Sequence, residues 1–224
     1  MTSGKTAPPH PCLVFDPKRL KLEEPDRAFY RRRTITIARD LVGAWIARRW
    51  RGSWFGARIV ETEAYLGPRD AAAHSWKGRR TPRVEPMYLD GGHLYVFFVY
   101  GMHSCANVVT RREGDAQAVL LRAAEAPERC PPRLLSGPGK LCSALGVRVA
   151  DSGLDLLGDG AIRIFRRTGR RPRLAVTARI GVDYAGEAAA WPLRFFDRDS
   201  AAVSGRKSIP GVVNRRSRTQ NQRP

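Results

Sequence analysis

Three short apolar segments, Leu94 to Tyr100, Cys105 to Thr110 and Ala118 to Ala123, follow one another with only a few residues between them. Parallel strands need a crossover of a dozen or more residues, so these three can pair only as antiparallel neighbours. Gly101 and Gly114-Asp115 supply the turns of that meander. Upstream, Ala44 to Trp50 and Trp54 to Leu66 read as two further strands, joined by a hairpin turn at Arg51-Gly52-Ser53. Helix signals are short: Ile35 to Leu41, closed by Gly43, and Lys140 to Leu145, closed by Gly146. Residues 162 to 196 alternate enough to add more strands. Strands and short helices without βαβ regularity predict an α+β fold, a single domain built around a curved antiparallel sheet with short surrounding helices.

The 224 residues suffice for one well-buried domain but not two ordinary ones. The domain is expected over 26–204. Residues 1–25 read as a flexible Pro-rich, basic arm that docks near Leu13 to Phe15, and 205–224 as a disordered basic tail. Between the strands, 67–88 is a long polar loop, which in a compact domain is either functional or disordered.

Forty Lys and Arg against 21 Asp and Glu give a formal charge of +19. The tail contributes Arg206, Lys207, Arg215, Arg216, Arg218 and Arg223 without an acid, and taking these six away still leaves +13. A folded part this basic points to a polyanionic partner, which selects a partner class and not an activity. No run approaches the roughly 18 apolar residues of a membrane helix, and the N-terminus has no segment of signal-peptide type. Cys12, Cys105, Cys130 and Cys142 show no zinc spacing, so four reduced thiols are expected, at least two of them in the core.

The chemistry concentrates on Arg58-Ile-Val-Glu-Thr-Glu-Ala-Tyr65. A period of two places Ile59, Glu61, Glu63 and Tyr65 on one face. One reading is a carboxylate held as general base in an aromatic pocket; the other is a solvated face whose acids pair with nearby arginines. Arg122 lies inside an apolar strand, where a buried guanidinium needs an anionic partner, and Glu63 is the partner expected. The aromatic strand Tyr95 to Tyr100 suits a core, except that Tyr100, beside Gly101, is placed to stand at a rim. Ser136-Gly-Pro-Gly139-Lys140 before a helix is either a phosphate seat or an ordinary helix-entry turn.

In order, the chain carries RIVETEAYLGPRDAAAHS at 58–75, LYVFFVYGMHSCANVV at 94–109, AVLLRA at 118–123, SGPGKLCSALG at 136–146, and ARIGVDYAGE with WPLRFF over 178–196. These motifs resemble the 3-methyladenine (alkyladenine) DNA glycosylase family, the single-domain type without a helix-hairpin-helix, over about residues 34–198. The resemblance implies that Glu63 activates a water and Arg122 helps to hold it. Tyr65, His74 and Phe97 would line the slot for a flipped base, with Asn107 at its edge disfavouring purines that carry a 2-amino group. Tyr100, with Met102, would wedge into the duplex, and Gly139, Lys140, Arg79 and Arg83 would meet phosphates. The implied substrates are 3-methyladenine, 7-methylguanine, hypoxanthine and ethenoadenine in double-stranded DNA, cut without lyase activity and without a metal or organic cofactor. A monomer working on DNA in the bacterial cytoplasm, or in a eukaryotic nucleus, is expected. The sequence departs from the family pattern at Phe97, where Tyr is usual, at Val84, where Asn is usual, and in a short link over 125–135 that leaves no room for a covering helix. Two rivals remain open: a non-catalytic nucleic-acid binder, and a carbohydrate glycosidase using Glu61 and Glu63 as a pair.

Overall fold

The computed structural model describes residues 8–99, 103–127, 129–166 and 171–205. Short strands, hairpin turns and few helical runs produce the expected α+β architecture. The strands are β1 (Val14–Phe15), β2 (Trp45–Trp50), β3 (Ser53–Tyr65), β4 (Leu94–Val99), β5 (His103–Thr110), β6 (Gln117–Glu125), β7 (Ile162–Phe165), β8 (Leu174–Thr177) and β9 (Arg194–Asp197). They form one antiparallel sheet in the order β4-β5-β6-β3-β2-β7, with β1 and β9 also on β3 and β8 on β9. Among the described residues three α-helices accompany it: α1 (Arg27–Tyr30), α2 (Thr34–Leu41) and α3 (Pro138–Leu145). Ile37, Ala38 and Leu41 of α2 and Leu141, Cys142 and Leu145 of α3 are buried in one cluster with Ile46, Ile59, Val108, Leu121 and Phe195 of the sheet. The main core is therefore a helix layer on one sheet face.

β3 is the central device. Its thirteen residues are long enough to pair with β2 through Ser53–Arg58 and with β9 through Glu61–Glu63, while β6 runs along Arg58–Tyr65. The register against β6 shifts between Ile59 and Glu61 and again between Glu61 and Thr62, a β-bulge in each direction. Ala57 and Ile59 point into the main core before the irregularity. After it, Ala64 does so, and the Thr62 hydroxyl donates to Ala38 O of α2 at 2.8 Å. Ile59 thus lies on the face opposite Glu61, Glu63 and Tyr65, which corrects the shared face that strict alternation predicts. One inserted residue turns a strand's faces over.

Loop 67–88 is neither strand nor disordered. It folds through short 3-10 turns at Gly67–Arg69, Trp76–Gly78 and Glu85–Tyr88, and buries Ala72, Ala73, Val84, Met87 and Tyr88. The cysteines divide. Cys105 and Cys142 are buried free thiols, whereas Cys12 and Cys130 form a disulfide, which overturns the expectation of four reduced thiols. Their Cα atoms come within 5.3 Å although 118 residues separate them in sequence, and no spacing rule reveals such an approach. The N-terminal segment meets the sheet where β1 pairs with Trp54 and Phe55 of β3, and Leu13 is fully buried. No helix occupies 126–135 among the described residues there. Arg129 donates instead to the carbonyls of Cys12 and Val14. The tail from 206 onward lies outside the described residues, and among those described no helix is long and apolar enough to cross a membrane.

Candidate active site

Antiparallel partners share a face, so the registers can be followed across the sheet. Tyr95 of β4 faces Asn107 of β5, Asn107 faces Leu120 of β6, Leu120 faces Glu63 of β3, and Glu63 faces Arg194 of β9. One transverse row on the face away from the helices therefore joins the aromatic strand to the carboxylate strand. Three strand spacings separate Tyr95 from Glu63, about 14 Å.

At the carboxylate end, Glu61 and Glu63 are wholly buried and Arg122 nearly so. Glu63 Oε1 accepts from Ile180 N at 2.8 Å, and Oε2 accepts from Arg122 Nη1 at 3.2 Å and Tyr65 Oη at 3.0 Å. Glu61 Oε1 accepts from Arg122 Nε at 3.0 Å, Arg194 Nε at 2.6 Å and Ser204 Oγ at 3.0 Å, and its Oε2 from Ser204 N at 2.6 Å. Arg122 Nη2 donates to Ser204 Oγ at 3.2 Å. The solvated-face reading of the two glutamates is thereby excluded: they face arginines, but inside the protein. The expected Glu63–Arg122 pair is present, and Glu61 is its unexpected third member.

Burial pushes the Glu63 carboxyl above the ordinary range, and Glu61 adds to this, while Arg122, the Ile180 amide and the Tyr65 hydroxyl pull it back. Burial likewise pushes the Tyr65 hydroxyl well up, with Glu63 reinforcing it. For Arg122 burial opposes the charge, but the two carboxylates outweigh it and its proton is held more tightly than usual. A carboxylate offers about four acceptor positions. Among the described residues three donors reach Glu63, which leaves one acceptor position for a water or substrate hydrogen.

The aromatic end is built differently. His74 Nδ1 lies 2.7 Å from Tyr95 Oη, and the His74 ring meets Phe97 edge-on with centroids 4.4 Å apart. Tyr95 and Phe97 stand 5.5 Å apart, tilted. Burial, with Arg83 and Arg79 adding positive charge, lowers His74 to about 4, so its ring is neutral near pH 7. Burial raises Tyr95 to about 12. Asn107 is buried and gives its amide to Tyr95 O at 3.1 Å, which fixes its rotation. Tyr95 is buried, as the core reading of the aromatic strand expects, and the period of two puts it on the face of Phe97.

The anticipated phosphate ligands divide between two places. Arg83 is exposed, donates to Phe98 O at 3.1 Å and lies 5.8 Å from the Phe97 ring centre. With Arg79 it acts electrostatically on His74, so both belong to the aromatic end. Lys140 is exposed on the first turn of α3. A Cβ on Gly139 would come within 2.9 Å of the His103 side chain, so the missing side chain there serves the packing of α3 against β5. Tyr100 and Met102 lie outside the described residues. Two surface hollows, one bounded by Phe29, Arg32 and Asp40 and the other by Arg49, Trp54 and Arg163, contain none of these site residues.

Comparison with known proteins agrees with the motifs. Residues 28–201 match the family model described as methylpurine-DNA glycosylase. A protein of Desulfitobacterium hafniense is 44% identical over 197 residues, covering 80% of this chain and 97% of its own length. One from Bdellovibrio bacteriovorus is 43% identical over 189 residues, covering 79% and 96%. A third, from Myxococcus xanthus, is 45% identical over 180 residues, covering 79% and 91%. Each carries the name "Putative 3-methyladenine DNA glycosylase".

Proposed function

The chain belongs to the methylpurine-DNA glycosylase family, and from that premise we propose that it excises damaged purines from duplex DNA with Glu63 as the general base. The observation that carries this reading is a wholly buried carboxylate held, among the described residues, by Arg122 and two neutral donors that take three of its four acceptor positions. Arg122 favours the ionised form of Glu63 against its burial, and the net upward shift gives the carboxylate more basicity than it has in water.

In the reaction, a water donates its hydrogen bond to Glu63 and attacks C1′ of the deoxyribose. The C1′–N bond breaks, its electron pair leaves with the purine, and the water's proton passes to Glu63. An abasic site and a free base result. Removing a base from the stack costs a few kcal/mol and least where pairing is already poor, which favours damaged or deaminated purines. His74 and Phe97 offer stacking surface, with Tyr95 buried beside them, and Asn107 an edge of fixed orientation. We assign Tyr100 and Met102 to the wedge filling the vacated gap, and Arg79, Arg83 and Lys140 to phosphates. No residue pattern supports a lysine nucleophile, so the reading is hydrolysis without strand cutting.

The test is single-turnover base release from hypoxanthine- and alkylpurine-containing duplexes. Glu63→Gln retains size and the bond from Arg122 but cannot take a proton. Its rate should fall by about 10² to 10⁴ while affinity for lesion DNA is kept. Excision by Glu63→Gln at the wild-type rate would remove the proposed base.

A further inference from the structure

Asp70 and Arg179 have no part in the roles assigned above, yet both side chains are completely buried. They pair in bidentate fashion, Nη1 to Oδ2 at 2.5 Å and Nη2 to Oδ1 at 2.8 Å. Desolvation offsets most of the Coulomb gain of such a pair, so stability alone is a weak reason for it. What the pair touches is more informative. Arg179 Nη1 donates also to Ala64 O at 3.1 Å and Nη2 to Ala188 O at 3.0 Å. Its guanidinium lies 4.8 Å from the centre of the Tyr65 ring. Asp70 accepts from the amides of Leu66 and Ala72, both at 3.0 Å. One ion pair thus fastens the end of β3, the start of the loop that carries His74, and the segment from 179 to 188.

The fastening bears on Glu63 twice. Ile180, the next residue after Arg179, places its amide on Glu63 Oε1, and Tyr65, against which Arg179 lies, places its hydroxyl on Oε2. We propose that Asp70 and Arg179 are positioning residues for the proposed base, holding the two neutral donors that keep Glu63 ionised and leave one acceptor position open. This rests on Glu63 being that base. Around Glu63 stand Arg122 from β6, Glu61 and Tyr65 from its own strand, Arg194 from β9, Cys105 from β5, and Arg179 behind Tyr65. Arg122 is the cation bonded to the carboxylate; the Asp70–Arg179 pair determines where the uncharged donors point. Hydrogen bonds to a carboxylate favour its ionised form, so misplacing them makes Glu63 harder to ionise.

Arg179→Lys keeps the buried charge and loses the fork. Asp70→Leu combined with Arg179→Met removes both charges together, a change that leaves no uncompensated ion and so permits folding. Each variant is followed in three ways: the ¹³C titration of the Glu63 carboxyl, assigned by its loss in Glu63→Gln; the pH profile of single-turnover excision; and the melting temperature. The expected result is an upward move of both the Glu63 midpoint and the acid limb of the profile. Excision at neutral pH should slow about tenfold or more, as when an outer partner of a site group is removed. A lowered melting temperature with the Glu63 midpoint and acid limb unmoved would make the pair a structural staple and overturn the inference. If Glu63→Gln itself excises normally, the base assignment fails instead. An inert Glu63→Gln beside unmoved titrations in the pair variants refutes this inference alone.

Discussion

The two ends of the transverse row obey opposite rules. Around Glu61 and Glu63 each carboxylate oxygen has at least one donor, and both carboxylates are out of water. At the other end His74 and Phe97 are only half-buried, and apart from the His74–Tyr95 bond the contacts are ring against ring. A buried ionic network tolerates no loose charge, because each unpaired charge bears its full desolvation cost. Ring surfaces accept many shapes. On the proposed function, chemistry falls to the rigid end and discrimination among bases to the adaptable one.

The comparison breaks most easily at the rigid end. Arg122→Ala leaves two carboxylates buried without their shared cation, and breaking a buried pair in this way costs about 3–5 kcal/mol of stability. It should also drive the acid limb of excision upward, since Arg122 is the strongest influence lowering Glu63. Melting curves and the pH–rate profile of the variant check both. If Arg122→Ala melts and titrates like wild type, the network is not cooperative and the contrast collapses.

Next in size is Phe97→Ala. Loss of a stacking face is worth about 1–3 kcal/mol per base, and the loss should vary from lesion to lesion while the acid limb stays in place. Uniform loss across a lesion panel, together with a shifted acid limb, would join the two ends into one unit.

pH separates the ends by sign. Glu63 has its folded value raised, so its contribution to stability is complete below the unfolded carboxylate value and is lost as pH rises through the folded one. The ionised form that the proposed mechanism needs is the one that burial disfavours. His74 has its folded value lowered to about 4 from 6.5. The unfolded chain takes up that proton first, so stability falls as pH drops from about 6.5 towards 4. His74→Gln should flatten the fall in stability over that window without moving the acid limb, as paired denaturation and activity profiles will show.

The smallest expected effect on excision comes from the disulfide, which lies in neither end. Reduction releases a loop of 118 residues, and closing a loop of that order is worth about 4–5 kcal/mol in the chain-entropy model. Melting should drop under reductant while single-turnover excision well below the melt is unchanged. A rate that falls with reduction at constant fold content would tie the N-terminal segment to the site.

How far the site was legible follows the range of the interactions. Glu63, Arg122 and Tyr65 stand out because an acidic pair and a lone arginine are anomalies against apolar alternation, and the structure joins them. Tyr95 reads as core and is core; only its hydroxyl contact with His74, 21 residues away, was not legible. Glu61 was visible as a residue but not as the anchor of Arg122, because Arg194 and Ser204 approach it from 133 and 143 residues away. The loop over 67–88 reads as polar and open because its buried alanines and Tyr88 are too few to make a periodic signal.

What the sequence determined by itself is whatever acts over a few residues: the strands, the hairpin at Arg51-Gly52-Ser53, the short helices with their closing glycines, and the antiparallel meander forced by short connections. Alternation and turn chemistry are local, so they can be read before anything folds. Only the tertiary structure decided the rest. The irregularity between Ile59 and Thr62 exchanges the faces of β3 because β6 and β9 must both fit against it. Cys12 finds Cys130, Arg179 finds Asp70, and Ser204 closes over Glu61, each across more than 100 residues. Desolvation is the common reason: a charge or thiol acquires its partner only where the whole fold has excluded water, and no stretch of chain carries that information alone.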